Sequence, residues 1–238
     1  MKPWMKAAPE QGRRAPDAGT RTLEWLLIAA AVLATLSSTL GLQALHFICK
    51  PLSMLLALGL VLRCARRAGA VERFDTLLML ALLASLAGDV FLMLPGGYFL
   101  PGLASFLVAH LFYIALFRQD VPWFASRRAL AGTLATGAAM YAWVWGGLGD
   151  PVLKVAVAAY VTVIALMVAQ AIGRATVQQD AAARAVALGA CFFMLSDSLI
   201  AVNRFVQPLP LVPLWVLSNY YLAQILMVRN ARATIRNS

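Results

Sequence analysis

The sequence predicts an all-α integral membrane protein, a bundle of about eight transmembrane helices. Of its 238 residues, 62% are hydrophobic and 13% are charged, whereas soluble domains carry about 25% charged residues. The apolar residues form runs of about 20, the length that spans a hydrocarbon core about 30 Å thick as a helix. The alternating ten-residue segments of outer-membrane barrels are not seen. Helices are therefore the predicted spanning elements.

Basic segments flank the apolar runs. Residues 1–21 are rich in Pro, Gly and charge, which predicts a disordered basic cytoplasmic tail. Residues 22–229 are predicted to form the transmembrane domain, and residues 230–238 a basic cytoplasmic C-terminal tail. The first run is longer than the apolar region of a signal peptide and lacks a small-residue cleavage site, so we expect it to be a span.

Eight apolar runs are separated by short Gly- and Pro-rich breaks or by longer polar loops. Each run is long enough to cross the hydrocarbon core as one helix. The predicted spans are Leu23–Leu42, His46–Leu62, Thr76–Leu94, Tyr98–Phe117, Ala129–Trp145, Pro151–Gly173, Ala185–Asn203 and Pro210–Val228.

Lysine and arginine are distributed unevenly between the two faces. Eight spans place seventeen of the 20 basic residues on one face, which the positive-inside rule assigns to the cytoplasm. Both termini are therefore expected in the cytoplasm, and the protein in the cell inner (cytoplasmic) membrane. The net charge of +10 then reflects topology, and we expect no nucleic-acid partner.

A faint internal repeat relates the two halves of the chain. Asp89 in the third span and Asp197 in the seventh both follow a small residue, and Lys50 and Lys154 open the second and sixth spans. Four spans per half preserve direction, so one interpretation is a 4+4 parallel pseudo-repeat about an axis along the membrane normal. Chance similarity between apolar helices is the other.

Asp89 and Asp197 are the most informative residues, because each lies inside a predicted span. A charged Asp at the bilayer centre costs at least about 2.5–3.5 kcal/mol, so each should face the bundle interior, a partner or water. Counting along the helices places both carboxylates and Lys50 at a similar depth in the outer half. We expect a polar cavity open toward the outer leaflet. A structural ion pair or a helix–helix hydrogen bond is the alternative.

Other polar side chains fall near the two aspartates. His110 and Tyr113 share one helix face, as do Tyr220 and Gln224, and both pairs lie near mid-membrane. Arg204 lies two turns outward from Asp197. Structural alternatives are a snorkelling Lys50, an interfacial Arg204 and an ordinary core histidine at His110.

Metal and redox chemistry find little support in the sequence. There are two histidines and three cysteines, none of the cysteines in a close pair. This argues against a zinc cluster and against a disulfide framework. We expect neither a metal nor a cofactor.

Four segments carry a resemblance to a known family: Gly88–Met93, the Phe106, His110 and Tyr113 pattern, Phe193–Phe205, and Tyr220–Gln224. Over about Leu42 to Val228, the chain resembles the YhhN-like lysoplasmalogenase family of eight-span membrane proteins. The resemblance implies hydrolysis of the vinyl ether bond of lysoplasmalogens, which releases a fatty aldehyde and a glycerophospho-alcohol without a redox cofactor. It also implies a lysophospholipid substrate taken from the lipid bilayer.

Vinyl ether hydrolysis needs an acid and a base, because protonation of the β-carbon creates an oxocarbenium ion that water captures. Two carboxylates in different environments supply both groups in glycosidases. We therefore assign Asp89 and Asp197 as catalytic, and favour Asp197 as the ionised partner because Arg204 lies on roughly its face. The candidate substrate-binding residues are Lys50, His110, Tyr113, Asn203, Arg204, Tyr220 and Gln224.

Two other classes of protein place acids within membrane helices. An intramembrane aspartyl protease would carry Gly-x-Gly-Asp, but Leu86 stands at the first glycine position. A proton-coupled transporter of a small or lipid-like substrate would use the aspartates as a proton relay. Its broken helices are not indicated, since neither acid-bearing span contains an internal proline. Gradient-driven uptake would distinguish it from a hydrolase.

Overall fold

The computed structural model describes residues 17–119 and 121–231. The described residues form α-helices joined by short loops, with one 3-10 turn at Trp145–Gly147 and no strand. Each predicted span falls in its own helix, which confirms the all-α prediction. The predicted tails lie largely outside the described residues. The helices are α1 (Ala18–Thr39), α2 (Gln43–Arg67), α3 (Arg73–Met93), α4 (Phe99–Phe117), α5 (Arg127–Val144), α6 (Pro151–Gln178), α7 (Ala181–Phe205) and α8 (Val212–Asn230).

Six of these helices are long and apolar enough to cross a membrane: α1, α2, α3, α4, α6 and α7. The other two, α5 with 18 residues and α8 with 19, are not among them. Two arginines open α5, and α8 carries Asn219, Tyr220 and Gln224, so polar side chains lower the hydropathy of both. The protein is therefore a multi-pass helical membrane protein, and the crossings by α5 and α8 stay predictions.

Several helices extend about a turn beyond the predicted spans. Helix α2 continues to Arg67 and α6 to Gln178, because Arg and Gln are good helix formers whose long side chains reach out of the apolar layer. Helix α1 begins at Ala18 rather than Leu23, so the last residues of the predicted tail 1–21 belong to this helix. The hydropathy of the runs therefore underestimates helix length.

Asp17 joins the start of α1 to the end of α2. Its side chain accepts the backbone N–H of Thr20 at 3.0 Å and pairs with Arg63 Nη2 at 2.7 Å and Arg67 Nη1 at 2.8 Å. A Cβ atom on Gly19 would lie 2.2 Å from Arg63 Nη2, so a larger residue there would displace the guanidinium group of Arg63. The hydrogen bond from Arg63, followed by that from Thr20, lowers the pKa of Asp17. The stabilisation is therefore present above the ordinary Asp pKa and lost only in stronger acid.

Seven of the described helices close into a ring in the order α1, α2, α3, α4, α6, α7, α8. Helix α8 packs against α1, where Arg229 Nε lies 3.5 Å from Glu24 Oε1. Helix α5 lies outside this ring, against α6 and the edge of α7. The two halves are not equivalent, because α4 packs firmly on α6 whereas the corresponding pair, α8 and α2, barely meets. The packing therefore does not reproduce a 4+4 repeat.

Candidate active site

Asp89 is sealed inside the ring with two partners. Its Oδ1 lies 3.1 Å from Lys50 Nζ of α2, and its Oδ2 accepts the hydroxyl of Tyr220 from α8 at 2.6 Å. Asp89 is 1% exposed and Lys50 is 7% exposed. A buried ion pair persists only with good geometry and further hydrogen bonds, and Tyr220 supplies one. Lys50 and Asp89, which the sequence analysis places at a similar depth in the membrane, are therefore in direct contact.

The glycine before Asp89 has a packing role. A Cβ atom on Gly88 would lie 2.5 Å from the ring of Phe106, so the missing side chain lets this ring of α4 pack directly against α3. The serine before Asp197 acts differently, since Ser196 donates its hydroxyl to the carbonyl of Val216 at 3.0 Å and joins α7 to α8. These contacts account for the Gly-Asp and Ser-Asp pairs.

Asp197 has a separate set of partners. Its Oδ2 accepts the hydroxyl of Tyr160 from α6 and lies 3.5 Å from Nε2 of His110 in α4. Apart from this contact, neither ring nitrogen of His110 has a hydrogen-bond partner among the described residues. Both described partners of Asp197 lie on Oδ2, so Oδ1 is left for a ligand or water. The carboxylate side chain is 13% exposed, against 2% for Asp89.

Aromatic rings separate the two carboxylates. The ring of Phe193 lies 4.8 Å from His110 on one side and 5.4 Å from Tyr220 on the other, measured between centroids. The ring of Phe106 lies 6.0 Å from Tyr220 and 6.0 Å from Phe193. Each aspartate thus has its own tyrosine and its own nitrogen base or cation.

A cavity between α3, α4, α5, α6 and α7 reaches only one of the aspartates. Its wall is apolar except for Asp197, Tyr160 and Ser198, and Asp89 is not part of it. The predicted polar cavity containing both carboxylates therefore stays a prediction. Within the ring, Lys50 and Tyr220 contact the two carboxylate oxygens of Asp89. The apolar residues of the wall are Leu92, Phe99, Leu103, Phe106, Gly137, Met140, Val157, Val161, Ile164, Met194, Ile200, Ala201 and Phe205.

Three predicted substrate-binding residues have protein partners away from the cavity. The hydroxyl of Tyr113 donates to Gln224 Oε1 at 2.7 Å, a buried bond that joins α4 to α8. The Oδ1 atom of Asn203 accepts the backbone N–H of Leu209 at 2.9 Å and holds the loop between α7 and α8. These contacts stabilise helix pairs and a loop, and none of the three residues lines the cavity wall.

Arg204 lies beside the end of the cavity that is nearest the loop between α7 and α8. Its guanidinium carbon is 4.2 Å from the ring centroid of Phe99 and 5.8 Å from that of Phe205, two residues of the cavity wall. The side chain therefore packs on aromatic rings and does not pair with Asp197. Arg204 therefore gives Asp197 no ion pair, and the assignment of Asp197 as the ionised partner stays a prediction.

Tyr160 is the residue that the sequence analysis missed. It donates directly to Asp197, yet no spacing in the sequence links it to α7. One signal was present, since Tyr160 is the only tyrosine in the long apolar helix α6, and a buried tyrosine hydroxyl normally has a hydrogen-bond partner.

Comparison with known proteins gives a consistent set of relatives. Residues 45–231 match the model of the YhhN family. A Mycobacterium bovis protein named lysoplasmalogenase is 31% identical over 183 residues, covering 72% of this chain and 66% of that protein. Human lysoplasmalogenase TMEM86A is 32% identical, covering 66% of this chain and 65% of the human protein. Human lysoplasmalogenase TMEM86B is 34% identical, covering 66% and 64%. The chain thus spans slightly less than two thirds of these relatives, and no solved structure matches it.

Proposed function

Because this chain belongs to the YhhN family, we propose that it is a membrane-embedded lysoplasmalogenase. It cleaves the vinyl ether bond of a lysophospholipid to a fatty aldehyde and a glycerophospho-alcohol. Relatives that are 31% to 34% identical carry the name lysoplasmalogenase. The observation that carries the proposal is a carboxyl group, Asp197, in the wall of a mostly apolar cavity within a membrane bundle.

Asp197 is suited to the proton transfers of this reaction. Its carboxyl group gives a proton to the β-carbon of the vinyl ether, and the positive charge is shared by the α-carbon and the ether oxygen. Water then adds to the α-carbon and loses a proton to the same carboxylate. The hemiacetal collapses when its hydroxyl group loses a proton, the glycerol oxygen gains one and the carbon–oxygen bond to the glycerol unit breaks, which releases aldehyde and alcohol. Tyr160 and His110 hold Asp197 on Oδ2, so Oδ1 is the atom proposed to meet the substrate.

Asp89 has a different role in the proposed reaction. Its Oδ1 contacts the ammonium group of Lys50 and its Oδ2 accepts the hydroxyl of Tyr220, so both carboxylate oxygens already have protein partners. We propose that Asp89, Lys50 and Tyr220 form a fixed polar support behind the rings of Phe106 and Phe193. Direct exchange of a proton between Asp89 and the substrate, as the sequence suggested, is the competing hypothesis.

The proposed activity predicts aldehyde release from a purified, detergent-solubilised protein given a 1-alkenyl lysophospholipid. Aldehyde and glycerophospho-alcohol should appear in equal amounts, because one hemiacetal yields one of each. The saturated 1-alkyl ether of the same chain is the matched control and should give no product, since it has no double bond and its β-carbon therefore cannot accept a proton. Folded protein that releases no aldehyde, but shows gradient-driven uptake in proteoliposomes, would contradict the hydrolase and support the transporter.

We further propose that the protein lies in the cell inner membrane with both termini in the cytoplasm, motivated by the seventeen basic residues on one face. Alkaline phosphatase fused after Ser238 should be inactive, and a fluorescent protein fused there should fluoresce. The same reporters in the loop between α7 and α8 are the matched control and should give the opposite result. Phosphatase activity at the C-terminal fusion would contradict this orientation.

A further inference from the structure

A second polar layer lies one helical turn from Asp89 and Tyr220 inside the ring. Ser85 precedes Asp89 by four residues on α3, and so shares its helix face. Gln224 follows Tyr220 by four residues on α8 and shares its face in the same way. Tyr113 of α4 meets both, since its hydroxyl donates to Gln224 Oε1 at 2.7 Å and faces Ser85. The second polar layer thus consists of Ser85, Tyr113 and Gln224, contributed by three helices.

Two polar atoms of this layer, Ser85 Oγ and Gln224 Nε2, have no hydrogen-bond partner among the described residues. Ser85 is 0% exposed and Gln224 is 2% exposed, so both atoms are enclosed by the protein. About nine in ten buried polar groups in proteins are hydrogen-bonded, and the apolar layer of a membrane offers no solvent in place of a missing partner. The two atoms therefore indicate a partner that the neighbouring side chains do not supply.

The orientation of the Gln224 amide does not remove this requirement. Exchanging its nitrogen and oxygen, which have the same shape, would let the amide donate to the oxygen of Tyr113. The amide oxygen would then take the place of the nitrogen and lack a donor, because the nearby hydroxyl of Tyr220 gives its hydrogen to Asp89. One atom of the amide thus needs a further partner in either orientation.

Water is the ligand whose chemistry fits these atoms. It can accept a hydrogen bond from Gln224 Nε2, form a second with Ser85 Oγ and donate a third to the oxygen of Tyr113, and three is the usual number for a buried water. A cation would be repelled by the N–H groups of the amide, and an anion would meet no positive charge among these three side chains. Because the three residues are almost wholly buried, the ligand must also be small.

We infer that the ring encloses an ordered water molecule, bound by Ser85, Tyr113 and Gln224, that joins α3, α4 and α8. The site goes beyond the proposed reaction and does not depend on it. Gln224 also lies beside the hydroxyl of Tyr220, the group whose hydrogen bond Asp89 accepts. The water therefore fixes the amide that adjoins this hydroxyl, and it extends the polar support around Asp89 by one helical turn.

The first test uses the wild-type protein and needs no variant. A crystal structure or a cryo-electron microscopy map that resolves ordered water should contain a peak about 2.5–3.2 Å from both Ser85 Oγ and Gln224 Nε2. The map also identifies the alternatives, because a direct bond from Ser85 to Tyr113, or from Gln224 to Tyr220, would occupy the same atoms. Well-defined side chains with no peak between them would overturn the inference.

The second test is the thermal unfolding of Ser85→Ala in detergent. Loss of one hydrogen bond to the water should lower Tm by about 2–4 °C, whereas removal of an unpaired hydroxyl would leave Tm unchanged or raise it. Ser105→Ala is the matched control, since Ser105 donates to the carbonyl of Pro101 on its own helix at 2.9 Å, and it should keep the wild-type Tm. An unchanged or higher Tm in Ser85→Ala, or an equal fall in both variants, would contradict the water site.

Discussion

Replacement of Asp197 by asparagine is expected to lower kcat for aldehyde release by about 10²–10⁴-fold, the usual contribution of one general acid–base group. Asparagine keeps the shape of the side chain and still accepts a hydrogen bond from Tyr160, but it cannot give up or receive the proton. The side chain lies on a cavity wall and contacts no Lys or Arg among the described residues, so the folded protein should persist. The measurement is aldehyde release per unit of folded protein.

Asp150→Asn is the matched control for this prediction. Asp150 lies at the N-terminus of α6, where its side chain accepts the backbone N–H of Val152 at 3.0 Å. Asparagine caps helices about as well as aspartate, so this variant makes the same chemical change outside the cavity and should keep wild-type activity. Near wild-type hydrolysis by Asp197→Asn would remove the proposed role of Asp197.

Replacement of Asp89 by asparagine is expected to act chiefly on stability. Removing one member of a buried ion pair leaves the other charge uncompensated, which costs about 3–5 kcal/mol. In Asp89→Asn the stranded charge is that of Lys50, whose ammonium group lies 3.1 Å from the carboxylate in the native protein. Thermal unfolding in detergent should therefore show a marked loss of stability, together with low yield of the folded protein.

The double variant Lys50→Met/Asp89→Asn separates stability from catalysis. Methionine is similar in length to lysine and uncharged, so the double variant should recover much of the stability that Asp89→Asn loses. If Asp89 is only a support, aldehyde release per folded molecule should recover with stability. Recovered stability with activity still reduced by about 10²-fold or more would instead show that Asp89 exchanges a proton with the substrate.

The helices could be predicted because the bilayer limits the choice of structure. An apolar run of about 20 residues must satisfy its backbone groups internally, and a helix does this. The helix ends were less predictable. Helices α2 and α6 continue to Arg67 and Gln178 because these residues have high helix propensity and long side chains, although they are not hydrophobic. Hydropathy reports the apolar layer, whereas the helix ends are set by capping groups such as Asp17 and Asp180.

The depth of the site residues in the membrane could be predicted from the sequence, but their interaction partners could not. Counting along α2 and α3 placed Lys50 and Asp89 at one level, because the rise per residue is fixed. Which cation meets which acid depends on the order of helices around the ring, and no single-helix spacing contains that order. The packing of α4 on α6 brings His110 and Tyr160 to Asp197, and the ring of Phe99 takes the guanidinium of Arg204 instead.

The position of α5 outside the ring has a consequence for how a lipid reaches the interior. Helix α5 buries three residues, Thr133, Gly137 and Val144, whereas α6 buries eleven. In a bilayer, a helix that separates from its neighbours exchanges protein contacts for contacts with lipid tails, so separation costs packing and not hydrophobic free energy. Separation of α5 from α6 and α7 would open the cavity while the contacts around the ring stay in place.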